Sequence, residues 1–405
     1  MTARRTFLLL ATCAAVGLSV WLWPRPVARE VPKPVLRLLW SFSAPKPGAA
    51  VAAPFVDEDA IYWAAVHIRG FQLEGAVYSL EPATGRPKWT FDADGTMLPT
   101  ASAPIAAGGR LYFGEGMHSH FSCRLFCLDA ATGHPLWNLP TTDHVEGGPA
   151  LAGDSLLFPA GNDGLYSLDA KTGRRLWNFR DKLHIDSTPC VQGDRIFVGS
   201  GPSRKYATSQ VVCLDAATGD PIWRAPMPLP AWATPVVSEG RVFAGLGNGR
   251  LTEGARPPDK PAGALVCLDA GSGAQQWTLP IGDSVFSQPV VVGPRVVFGS
   301  RDGHLYGATL QGQIAFRLDL GGPVMASPVV HGGLVYAVSV SGMIVCVDPV
   351  NGTERWRHSL ADESAEVHVY AALRIHGNRL YVAEEARTPG SSVGIVSVSC
   401  FELLV

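Results

Sequence analysis

The sequence predicts an all-β chain folded as an eight-bladed β-propeller of four-stranded antiparallel blades, spanning residues 36–405. Two observations predict it: a short motif that returns at a blade-sized period, and a strand count that balances only if the two ends of the chain share a blade. The motif reads Leu125-Phe-Cys-Leu-Asp-Ala-Ala-Thr-Gly133 followed by Trp137, and Leu165-Tyr-Ser-Leu-Asp-Ala-Lys-Thr-Gly173 followed by Trp177. Further copies lead to Trp89, Trp223, Trp277 and Trp356, and a worn copy at Leu305–Gly312 ends on Phe316 in place of tryptophan. These aromatic positions recur every 39 to 54 residues, the period of one propeller blade.

Each copy has a local physical reading. An alternating apolar strand runs into Asp-x-x-Thr-Gly, where the carboxylate can accept turn N–H groups and glycine supplies the left-handed residue of a bulged hairpin. The strand after the turn carries the Trp. Two more strands precede each pair: one follows a proline, as in Thr234-Pro-Val-Val-Ser, and one reads like Arg241-Val-Phe-Ala-Gly. Each blade is therefore A, B, C, D from the central channel outward. A strands are expected near Pro54, Pro104, Pro149, Pro189, Pro235, Pro289, Pro328 and Ala371. The last blade runs out of chain after its C strand. Leu36-Arg-Leu-Leu-Trp40-Ser-Phe has the D-strand pattern with no A–C strands before it. Pairing that strand with the C-terminal three closes the ring and leaves no sheet edge open there.

The N-terminus is of another kind. Arg4 and Arg5 precede a 17-residue uncharged apolar run from Phe7 to Trp23, and Pro24, Pro26, Pro32 and Pro34 mark a linker over residues 24–35. Residues 1–23 read as an uncleaved signal anchor that holds the propeller on the outer side of a membrane, with a cleaved signal peptide as the rival reading. Arg4-Arg5-Thr6-Phe7-Leu8 also resembles a twin-arginine export signal, and Leu10-Ala11-Thr12-Cys13 is a weak lipoprotein box. All of these readings imply export to a periplasmic or otherwise extracytoplasmic location. Lys plus Arg (33) nearly balances Asp plus Glu (35), so the chain has no basic footprint for nucleic acid. A monomeric propeller is expected.

The repeat Leu-Asp-Ala-x-Thr-Gly-x-x-x-Trp resembles the tryptophan-docking repeat of the pyrroloquinoline quinone (PQQ)-like propeller superfamily. The likeness runs over residues 36–401 and is closest in style to the non-enzymatic propeller lipoprotein of the outer-membrane β-barrel assembly machine. It implies that the Trp of one blade stacks on the turn of the next. The superfamily also includes quinoprotein dehydrogenases, whose alcohol-oxidising members carry an adjacent Cys-Cys pair or a haem-attaching Cys-x-x-Cys-His. This sequence has neither. The resemblance thus implies a non-catalytic scaffold with no cofactor, binding a protein or peptide partner of the cell envelope, in envelope protein assembly. A channel-mouth sensor of a ligand or metal is the first alternative and a PQQ-dependent dehydrogenase the second. Cys127, Cys213, Cys267 and Cys346 hold one place in four C strands, too far apart to bridge, and read as small apolar core residues.

The loops locate the functional face. C–D turns are short and uniform, whereas B–C connections vary, from Asn162-Asp-Gly164 to the stretch Gly247–Gly263. Elaboration on one side of a rigid scaffold marks a binding face, and Tyr206, Trp232, Arg250 and Arg256 are its expected anchors because Arg and large aromatics dominate hot spots. Three D–A connections pair a histidine with a carboxylate two residues away: His144/Glu146, His184/Asp186 and Glu366/His368. Alternate residues of an extended chain share a side, so each pair is expected at the channel mouth. None of these spacings is a known metal motif.

Overall fold

The computed structural model describes residues 36–118, 120–249, 259–361, 365–388, 390–391 and 393–404. They form eight antiparallel sheets arranged as an eight-bladed propeller. Blade 3 shows the pattern: A is Ala150–Ala152, B is Ser155–Pro159, C is Leu165–Asp169 and D is Arg175–Phe179. The B and C strands are buried along nearly their whole length, because both of their faces meet neighbouring blades. The core is accordingly eight seams between blades; the seam between blades 3 and 4, for example, packs Leu157, Phe179, Ile185, Val198 and Leu214.

The ring closes as the sequence predicts. Leu36–Ser43 pairs antiparallel with Ile395–Leu403 and is the D strand of blade 8. The A strand of that blade begins at Arg374, three residues beyond Ala371, since the chain lacks the proline that starts the other A strands. Residues 1–35, which carry the anchor and linker readings, lie outside the described residues. Among the described residues no helix is long and apolar enough to cross a membrane.

The docking implied by the repeat is observed from blade to blade. The Trp137 ring lies where a Cβ on Gly173 would stand, 2.6 Å away, and Trp177 and Gly219 are related in the same way at 2.5 Å. The indole N–H groups of Trp40, Trp89, Trp177, Trp223 and Trp277 each donate to a carbonyl in the next blade's C–D turn, at 3.0–3.2 Å. Phe316 covers Gly352 without that hydrogen bond. In the turns themselves, the Asp129 and Asp169 carboxylates accept the N–H and hydroxyl of Thr132 and Thr172. These bonds hold both carboxyls below the usual range.

One difference from the sequence reading bears on function. The stretch His67–Gly75 reads as a loop, but it is mostly strand: B of blade 1 runs Ile61–Arg69 and C runs Gln72–Leu80, leaving Gly70-Phe71 as a two-residue turn. In blade 8, B likewise extends over Arg379–Arg387. Both hairpins outreach those of most other blades. The short strand Gly48–Ala49 pairs with blade 1 and bridges Gly394 of blade 8, tying the two hairpins together. Apolar and polar residues alternate through the extended part of the blade 1 hairpin, Val66-His67-Ile68-Arg69 and Gln72-Leu73-Glu74, so its ladder has no reason to stop earlier.

Candidate functional site

A repeated local device lines the channel. In each D–A connection one small or apolar residue plugs into the seam between blades: Val145, Ile185, Ala231, Val285, Val324 and Val369 are all buried. The residues on either side of the plug then face away from the seam. The residue after it lies three positions before the start of the A-strand segment, at Pro149, Pro189, Pro235, Pro289, Pro328 or Leu373. Those residues form a ring at the mouth. Glu146 and Asp186 stand on one side, and Trp232, Phe286, Met325 and Tyr370 continue around it. Val51 and Ala101 complete the ring, and the channel they enclose holds about 230 Å³.

On the acidic side the first two predicted pairs come together with a residue from a third segment. His118, in the B–C loop of blade 2, His144, Glu146 and Asp186 offer ligand atoms all within 4.8 Å of one another. The loop is drawn there by a bridge between Phe121 and Asp143. Glu146 Oε1 accepts the His118 backbone N–H at 2.6 Å and lies 2.6 Å from its Nδ1. The rings of His118 and His144 stack at 5.1 Å, and His184 meets both edge-on. Trp232 closes the cluster, its ring edge-on to His184 at 5.8 Å and His118 at 6.4 Å. Gly201 admits the indole, since a Cβ there would lie 2.2 Å from it.

The back of the cluster is held by polar side chains. Asp143 Oδ1 accepts the His144 backbone N–H at 2.9 Å and lies 2.8 Å from Nδ1 of the same residue. Asp143 Oδ2 accepts the Asn162 backbone N–H at 2.8 Å, and Asn162 Oδ1 faces His184 Nδ1 at 3.2 Å. The front is different. Asp186 has His184 Nε2 at 2.8 Å and His144 Nε2 at 3.3 Å. These approaches are close but poorly aligned: neither oxygen of Asp186 and neither ring nitrogen of His144 makes a well-directed hydrogen bond. They act as charge contacts rather than hydrogen bonds.

The electrostatics favour positive charge here. Burial works against a charged His144, but Asp143 and Asp186 outweigh it and push the imidazole pKa up to about 10. His118 is raised chiefly by its bond to Glu146. Burial also opposes ionisation of Asp186, yet His144 and His184 hold its carboxyl well below the usual range. The raised His144 pKa contributes stability that is complete below its unfolded value near 6.5 and fades as pH rises through about 10.

The third predicted pair does not join this cluster. Glu366 and His368 form a short strand along B of blade 8, and Glu366 is exposed. His368 occupies the position before the plug Val369, so the mouth residue of that connection is Tyr370, whose ring stacks on His368 at 6.3 Å. Of the expected anchors, Trp232 is half-buried in the mouth and Tyr206 is half-buried beneath the Lys205 ammonium. Arg250 and Arg256 lie outside the described residues. Sequence reasoning missed His118, and it missed the exposed side chains at the hairpin tips. Phe71 is fully exposed on the turn of blade 1, with Leu73 beside it; Phe121 is 61% exposed on blade 2 and Ile395 57% on blade 8.

Fold and repeat define the class: an eight-bladed propeller closed by its N-terminal strand and built from tryptophan-docking blades. Within that class, the chain belongs to the PQQ-like repeat family described as outer membrane protein assembly factor BamB, which matches residues 37–122, 122–200, 182–254 and 261–398. It is 27% identical over 143 residues to the outer membrane protein assembly factor BamB of Vibrio cholerae, covering 30% of this chain and 34% of that one. It is 32% identical over 138 residues to the serine/threonine-protein kinase AfsK of Streptomyces griseus, covering 29% and 16%. The chain thus spans about a third or less of the curated relatives it matches. Among solved structures, BamB from Moraxella catarrhalis superposes with a TM-score of 0.61 at 16% identity, over 91% of this chain and 97% of that one. Quinohemoprotein alcohol dehydrogenase from Comamonas testosteroni gives 0.65 at 14% identity, over 91% and 76%. At such identities these likenesses speak for the fold.

Proposed function

We propose that the protein is a non-catalytic scaffold of the cell envelope that takes a protein or peptide partner on its B–C loop face, in the assembly of envelope proteins. One observation carries the reading: apolar side chains stand free at the tips of B–C connections in three consecutive blades. Phe71 and Leu73 on blade 1, Phe121 on blade 2 and Ile395 on blade 8 lie on the face where the hairpins are longest. Large apolar side chains exposed on one face of a soluble fold mark interaction sites. On the opposite face the C–D turns are short and mostly hydrogen-bonded, with Val350 exposed on that of blade 7. The assembly-factor role of the Vibrio cholerae relative supports the same reading, as does the export expected from the N-terminal sequence. The propeller then works in the periplasm, held to a membrane by residues 1–23. Tyr206 and Trp232 border the same face and contribute to it; Arg250 and Arg256 remain anchors expected from the sequence alone.

Replacing Phe71 and Phe121 by Ser is expected to lower partner capture by cross-linking in the native envelope at least about tenfold, as for hot-spot aromatics, with the melting temperature unchanged. Lys171→Glu and Gln311→Glu, on the turn face, are expected to leave capture intact. Loss of capture in the turn-face variants, and not in the loop-face ones, would place the binding surface on the wrong side.

The fold likeness to a quinohemoprotein dehydrogenase makes catalysis the second reading. PQQ is a tricarboxylate, and the channel meets it poorly: among the described residues its charged lining consists of the carboxylates of Glu146 and Asp186 and one cation, Arg374. Reconstitution with PQQ and Ca²⁺ is therefore expected to give no dye reduction with primary alcohols or aldose sugars. Turnover that disappears on chelation would replace the scaffold reading with an enzymatic one.

A further inference from the structure

We infer that the acidic corner of the channel mouth is a binding site for one divalent transition-metal ion of the zinc class. The ion takes a ring nitrogen from each of His118 and His144 and a carboxylate oxygen from each of Glu146 and Asp186. This goes beyond the scaffold reading and stands independently of it.

The donor chemistry selects the class of ion. Calcium and magnesium take oxygen ligands, whereas mixed imidazole and carboxylate donors suit zinc, nickel, copper and cobalt. The four donor atoms already lie within 4.8 Å of one another. Around an ion with bonds of roughly 2.0–2.1 Å, tetrahedral donors sit about 3.3 Å apart. The closure required is at most about 1.5 Å, and His118 is the ligand placed to supply it: it stands on a loop and its side chain is 46% exposed, against 3% for His144 and 8% for Asp186.

A second observation points to a cation site rather than to a finished polar network. His144 and Asp186 are more than nine-tenths buried, and their ring nitrogens and carboxylate oxygens face one another without a well-aligned hydrogen bond. Buried polar atoms are nearly always satisfied. Here His144 Nε2 and the two carboxylate oxygens of Asp186 gather in one place, and a cation that displaces the Nε2 proton takes a lone pair from the ring and from the carboxylate alike.

The surroundings are those of a metal site. Metal-bound histidines commonly give their other nitrogen to a carboxylate, which fixes the ring. Asp143 stands 2.8 Å from His144 Nδ1 and is itself held by Asn162. His184 Nε2, 2.8 Å from Asp186, steadies the ligating carboxylate from the other side. The ion would join the blade 2 loop to two successive D–A connections and pin the movable His118.

The test uses the full chain in mild detergent, without a histidine tag and stripped with chelator. Zinc chloride titrated in a calorimeter is expected to bind one ion per chain with micromolar or tighter affinity. Calcium chloride is expected to bind at least about a hundredfold more weakly. Cobalt(II) is expected to give visible d–d bands that zinc displaces. His118→Ala, on an exposed loop and so safe for folding, should weaken zinc at least about tenfold, and His118→Ala with His144→Ala should abolish the one-site isotherm. Asp143→Asn, outside the ligand set, should cost about 10–100-fold. Zinc binding in the double variant equal to wild type, calcium binding as tight as zinc, or no zinc binding by the wild type would each overturn the site.

Discussion

Deleting residues 1–43 is expected to unfold the propeller, whereas deleting residues 1–30 leaves its melting temperature unchanged. The longer deletion removes the D strand of blade 8, and with it seven paired residues from Leu36↔Leu403 to Ser43↔Ser397. It also removes Trp40, whose indole donates to Pro82 at 3.1 Å and covers Gly85 in the next blade, and Phe42, which packs on Tyr78 at 5.3 Å. Both rings are half-buried, so each contributes near the low end of the aromatic range, about 3 kcal/mol. Their sum, about 6 kcal/mol, already matches the stability of an ordinary domain. Loss of the strand also exposes the Ile395–Leu403 edge, an aggregation hazard. Thermal unfolding followed by circular dichroism checks this. A full melting transition in the longer deletion, or unfolding in the shorter one, would show that closure does not depend on this strand.

The fold was legible because each blade announces itself within about forty residues. Strand alternation, the Asp-x-x-Thr-Gly turn and the tryptophan are all local signals, and only the closure required counting across the whole chain. The site was half legible. His144/Glu146 and His184/Asp186 could be read because a buried plug, Val145 or Ile185, separates two residues of like orientation. For the third pair the same count misleads: from the expected start near Ala371 it reaches His368, whereas the strand begins at Arg374 and the count from Leu373 reaches Tyr370. His118 left no such signal. Its place depends on the Phe121–Asp143 bridge and the Glu146 contact, which join segments some two dozen residues apart. Phe71 was hidden for a different reason. Its neighbours continue the strand alternation of a hairpin longer than the repeat requires, and exposure at a turn depends on how far the ladder runs.

The docking of one blade on the next can be measured as a coupling. Trp177→Ala is expected to cost about 3 kcal/mol, the low end for a buried aromatic, because the ring is half-buried and its N–H bond to Ala216 is also lost. Gly219→Ala should cost a similar amount for two separate reasons. The backbone there has φ +76°, and the new Cβ would lie 2.5 Å from the Trp177 ring. A left-handed non-glycine residue accounts for about 1–2 kcal/mol, and displacement of the indole for the rest. In the Trp177→Ala background the clash is gone and only the backbone cost remains. The double variant should therefore be more stable than the sum of the single effects predicts, by about 1–2 kcal/mol, well above the roughly 0.3–0.5 kcal/mol scatter of independent sites. Urea unfolding of the four proteins gives the cycle directly. Additive losses would mean that the indole does not rest on the turn. A coupling of the expected sign and size would establish that the repeat's Trp and Gly act as one joint between blades, which is the physical reason the two recur together along the chain.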